Sequence, residues 1–124
     1  MMNVYRNAII QRFNKCIVSD MNNEVCEAAH IIPLCEISKV DKLTSFDIDN
    51  GILLNCVLHK LFDKHYWCIN PKTLCIEICN KSPTIYDILK PYENKYIGIL
   101  KQYTNVIKYL TKHYNKVKQH EISI

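Results

Sequence analysis

The hydrophobic pattern begins with a helical face. From Val4 to Phe13, the apolar Tyr5, Ala8, Ile9 and Phe13, with Arg12 among them, follow the 3.6-residue spacing of one helix side, predicting a helix within residues 1–15. Cys16 to Val18 and Val25 to His30 then read as short extended segments around a polar turn, Ser19 to Glu24. Ile31 to Asp49 has no period and reads as a crossing loop, closed by the turn signal Asp49-Asn50-Gly51. Between Leu53 and Phe62, residues Leu54, Val57, Leu58, Leu61 and Phe62 return to helical spacing. Tyr66 to Ile69 and Leu74 to Cys79 predict a hairpin across Asn70-Pro71-Lys72-Thr73. Ser82-Pro83-Thr84 starts a short helix that Pro91 should end. Asn94 to about Lys118 reads as a long helix, with Ile99, Leu100, Tyr103, Val106, Ile107, Leu110 and Val117 on one stripe.

These elements predict an α+β chain folded as a single domain over 1–124. An N-terminal helix occupies 1–15, a β-β-α core 16–80, and a basic helical extension 81–124. At 124 residues and 48% hydrophobic content, such a chain buries a real core and is not disordered. Its longest apolar runs fall well short of the roughly 18–20 residues of a membrane span, so no membrane partner is expected. Arg6, Gln11 and Arg12 interrupt the N-terminus, which does not resemble a signal peptide; an intracellular location is the expectation.

Charge adds detail. The net +4 alone identifies no partner, but between Asn94 and His120 there are six lysines and no acid. Lys101, Lys108 and Lys112 belong to this stretch, which suits a polyanion or, equally, a solvated helix face. The seven cysteines are odd in number, form no C-x-x-C pair and lie partly in apolar runs; reduced thiols acting as small hydrophobes fit better than a disulfide framework. The abundance of lysine, asparagine and isoleucine is that of an AT-rich genome, such as many viruses and mobile elements carry.

Candidate chemistry comes from polar residues in apolar surroundings: His30 after Cys26-Glu27-Ala28-Ala29, Asn50 before Gly51, and His59 in Leu58-His59-Lys60-Leu61-Phe62-Asp63. His59 and Asp63 are four apart on an expected helix, so both project from one side and suit a single divalent cation. The stretch Cys16 to Ile78 resembles the HNH, or ββα-metal, nuclease family. Glu27-Ala28-Ala29-His30-Ile31-Ile32-Pro33, Asn50-Gly51-Ile52-Leu53-Leu54 and His59-Lys60-Leu61-Phe62-Asp63 resemble its restriction-type branch.

The resemblance implies a metal-dependent endonuclease acting on DNA with one divalent ion, Mg²⁺, Mn²⁺ or Zn²⁺. His30 matches the general base, Asn50 the asparagine that fixes loop and base, and His59 and Asp63 the helical metal ligands. Glu27 matches an acidic position that supports the ligands from behind. Lys60 and Lys64 flank the ligands and are candidate phosphate contacts. Many relatives carry Asp or His just before the base; here that residue is Ala29, which leaves two protein ligands, with water and substrate phosphate to complete the shell. A second copy of the chain is a candidate partner, because one ββα site cuts one strand at a time. Two other readings stand beside this one: a non-catalytic descendant that keeps the fold as a DNA-binding or assembly module, and a structural zinc protein using cysteines. Singly, His30 reads as a satisfied loop histidine and Asn50-Gly51 as an ordinary turn pair. The three blocks in order are what favour the nuclease.

Overall fold

A computed structural model describes residues 2–33 and 46–123. Most of the crossing loop expected from Ile31 to Asp49, together with Cys35, lies outside the described residues. The chain is α+β and divides into two compact units, Met1–His59 and Lys60–Ile124.

In the first unit, helix α1 (Met2–Phe13) ends at Asn14, whose left-handed φ of 68° suits a short polar side chain at a helix stop. Strands β1 (Cys26–His30) and β2 (Gly51–Asn55) pair antiparallel, from Cys26 opposite Asn55 to His30 opposite Gly51. α1 packs on both strands. A short 3-10 turn, Ile48–Asn50, feeds β2, and helix α2 (Cys56–Asp63) leaves it at once.

Three sequence expectations in this unit are corrected. Leu53 and Leu54 belong to β2 rather than to a helix beginning at Leu53. All five β2 residues are buried, so the strand shows no alternation, and a short continuous apolar run fits a helix equally well. The switch is made by Asn55, whose Oδ1 accepts from the Leu58 amide at 2.9 Å as a helix cap while its Nδ2 donates to Ser19 Oγ at 2.9 Å. Val57, counted on the apolar stripe, is exposed. Cys16 to Val18 is a buried turn rather than a strand; it offers β2 one backbone bond, from the Ile17 amide to the Leu53 carbonyl.

In the second unit, β3 (Trp67–Ile69) and β4 (Ile76–Ile78) form the expected hairpin, with Trp67 opposite Ile78. Asn70 nucleates its loop by accepting from the amides of Lys72 at 2.8 Å and Thr73 at 3.2 Å. Helix α3 (Pro83–Leu89) begins at its proline, and Pro91 falls in a 3-10 turn directly after it. The long helix expected from Asn94 is corrected: α4 spans Thr104–Ser123. Asn94 to Ile97 instead runs beside β4, with Ile76 N–H bonded to the Lys95 carbonyl and Ile97 N–H to that of Leu74, and Gly98–Gln102 is a 3-10 turn. α4 buries Val106, Leu110, His113 and Val117 on one face, as its spacing predicts, with His113 unforeseen among them. Phe62, Trp67, Ile69, Ile76, Leu89 and Leu100 are buried in the same unit. Among the described residues, no helix is long and apolar enough to cross a membrane.

Candidate functional site

The site is built from the end of β1. His30, half-buried, closes that strand opposite Gly51. The chain beyond it is gripped by Asn50, which is fully buried. Its Oδ1 accepts from the Ile32 amide at 2.9 Å, and its Nδ2 donates to the Ile32 carbonyl at 3.2 Å. An asparagine amide carries a donor and an acceptor side by side, so one side chain satisfies both backbone groups of the residue two beyond His30. The Asn50 carbonyl accepts from the Ile31 amide at 3.3 Å.

The turn that carries Asn50 is itself anchored. Asp47 caps it by accepting from the Asp49 amide at 2.9 Å. From α1, Arg12 pairs with Asp49 at 2.8 Å, and Tyr5 donates its hydroxyl to the Asn50 carbonyl at 2.8 Å. The Tyr5 ring also stacks on His30, with centroids 4.6 Å apart and planes 11° from parallel. Sequence reasoning missed Tyr5 and Arg12. The available signal was their shared helix side with Ile9, which placed them toward the core without saying what they would meet.

Glu27 and His59 are brought together. Glu27, near the start of β1, holds His59 Nδ1 of α2 at 2.8 Å. When Nδ1–H donates to this carboxylate, the imidazole lone pair sits on Nε2, the usual condition of a metal-ligating histidine with a carboxylate behind it. Asp63 is exposed, four residues further along α2, and a spacing of four sets both side chains on one side of the helix. Imidazole nitrogen and carboxylate oxygen are a donor set that fits a divalent cation. Among the described residues, no three His, Cys, Asp or Glu side chains gather as a metal site. Ala29 is fully buried where many HNH relatives carry a further ligand.

The expected phosphate-contacting lysines are all exposed: Lys60 on α2, Lys64 just after it, Lys101 in the 3-10 turn, and Lys108 and Lys112 on α4. Lys118 is engaged elsewhere, at 2.9 Å from Glu77. Burial works against ionisation of Glu77, but hydrogen bonds from Lys118, Asn70 and Tyr114 outweigh it and hold the carboxyl below its usual range. His113, in the same unit, is buried. It stacks on Phe62 at 4.0 Å and neither ring nitrogen has a well-formed hydrogen bond; burial first, then the neighbouring His65, depresses its pKa to about 4. The thiols of Cys68 and Cys79 lie 3.7 Å apart, and the hydrogen bond with Cys68 and burial push Cys79 well above the ordinary thiol range.

No curated protein matches the chain. The profile of the HNH endonuclease family does, over residues 16–70, a span that starts just after α1 and takes in β1, β2, α2 and β3. That span contains Glu27, His30, Asn50, His59 and Asp63, and members of the family generally use a divalent metal. The segment 16–70 of this chain is an HNH endonuclease-family domain.

Proposed function

We propose that the chain is a divalent-metal-dependent endonuclease that hydrolyses DNA phosphodiester bonds, of the restriction-type HNH branch. The single observation that carries this reading is the Glu27–His59 hydrogen bond at 2.8 Å, on the strand that ends at His30. A helical histidine with Nδ1 held by a carboxylate is oriented for ligation, and supporting groups of this kind raise ligand basicity.

His30 takes the proton from the attacking water; an imidazole can do so near neutral pH. The water oxygen bonds to phosphorus as the bond to the 3′ oxygen breaks, leaving 5′-phosphate and 3′-hydroxyl ends. Asn50 holds the backbone just beyond the base, so that His30 does not have to be ordered at the moment of reaction. His59 and Asp63 would hold the metal, which when bound would supply Lewis-acid stabilisation of the phosphate and the departing oxygen. Lys60 and Lys64, beside the ligands in the sequence, would contact substrate phosphates, and Lys101, Lys108 and Lys112 add exposed positive charge.

The test is conversion of supercoiled plasmid to nicked or linear forms with Mg²⁺, Mn²⁺, Zn²⁺ or chelator. Metal-dependent cutting that vanishes in His30→Ala is the expected result. The buried Ala29 favours one second reading, a non-catalytic DNA-binding or assembly module. Retained DNA binding and an intact fold with no cutting under any metal would establish that reading instead.

A further inference from the structure

The stack between Tyr5 and His30 is not explained by core packing alone. Tyr5 is only 2% exposed, and its ring is laid flat against the half-buried imidazole of His30. Its hydroxyl is spent on the carbonyl of Asn50. Room for this pose is made in the sequence: a Cβ on Gly51, the residue paired with His30, would stand 2.2 Å from the Tyr5 hydroxyl oxygen and 2.7 Å from Ile9 Cδ1. Gly51 has an ordinary extended backbone, with φ of −156°, so close approach rather than backbone freedom explains the glycine.

We propose that Tyr5 is a positioning residue for His30: its ring sets the plane of the imidazole while its hydroxyl fixes the Asn50 carbonyl that anchors the following loop. The inference rests on the reading of His30 as the base. A proton-abstracting imidazole must present one nitrogen to the water within a narrow range of angles. A ring stacked at 4.6 Å, 11° from parallel, restricts rotation of the imidazole. The tyrosine thus holds the base in place.

The experiment follows the His30 ring protons by NMR in the full chain, with kcat and KM for plasmid nicking measured in parallel. Wild type and Tyr5→Phe should show the upfield ring-current shift of a stacked imidazole, and Tyr5→Leu should lose it. Tyr5→Leu should lower kcat about tenfold with KM nearly constant, while Tyr5→Phe stays within about threefold of wild type. If Tyr5→Leu does not fold, Gly51→Ala displaces the tyrosine from the other side, and shift and kcat should fall together. Absence of the upfield shift in wild type overturns the proposal. So does a folded Tyr5→Leu with wild-type kcat, or an equal loss in Tyr5→Phe and Tyr5→Leu. If wild type does not cut, the base reading fails, and the ring-proton comparison still decides whether Tyr5 holds the imidazole.

Discussion

Asn50 and Glu27 each do their work through one pair of atoms, which makes substitution there informative. Asn50→Ala leaves the amide and carbonyl of Ile32 without their side-chain partner at a fully buried position. The expected cost is about 1–3 kcal/mol, read as a lower urea midpoint, with plasmid cutting lost while secondary structure persists at low denaturant. Glu27→Ala removes the carboxylate that orients His59. Calorimetric titration with Mn²⁺ or Zn²⁺ should show affinity falling about 10–100-fold, and Glu27→Gln, which still offers an acceptor oxygen, should fall less. His30 and His59 stand out in the sequence as polar residues set in apolar runs, and Asn50 as part of the turn signal Asp49-Asn50-Gly51. Tyr5 and Arg12 do not, because their partners lie 45 and 37 residues away and nothing local announces such a contact.

α1 and β2 meet at Gly51 with no room for a side chain. Gly51→Ala would drive a methyl group into the Tyr5 hydroxyl and Ile9, and overpacking of this kind should cost about 1–3 kcal/mol in thermal or urea unfolding. A melting curve unchanged by Gly51→Ala would mean that α1 yields freely. Elements with local punctuation were read correctly: α1, the β3–β4 hairpin around Asn70, and α3 at its proline. Those decided by distant partners were not. Leu53 and Leu54 fit the helical spacing that runs on to Phe62 but lie in β2, both of whose faces are covered, and residues 94–97 bond to β4 instead of continuing the period of α4. Asn55 was the overlooked sign, a cap residue directly before the true helix start.

For the molecule as a whole, the acid response should be dominated by His113 where carboxylates have not yet titrated. Its pKa is about 4 in the folded chain against an ordinary 6.5, through burial and His65, with Asp63 and Lys116 also in its field. A base with a depressed folded pKa binds its proton more readily when unfolded. Its contribution is therefore whole above pH 6.5 and is lost as pH falls toward 4, by about 3 kcal/mol over that window. Denaturant unfolding at pH 7 and near pH 4.5 should show a steeper decline in wild type than in His113→Phe, and parallel declines would discount the histidine. The buried Ala29 bears on a different dependence. A carboxylate at that fully buried position would be tolerable only with a cation beside it, so Ala29→Asp would make the fold hostage to its ion. With alanine there, the fold makes no such demand, and under the proposed function ion and nucleic acid would complete the site together.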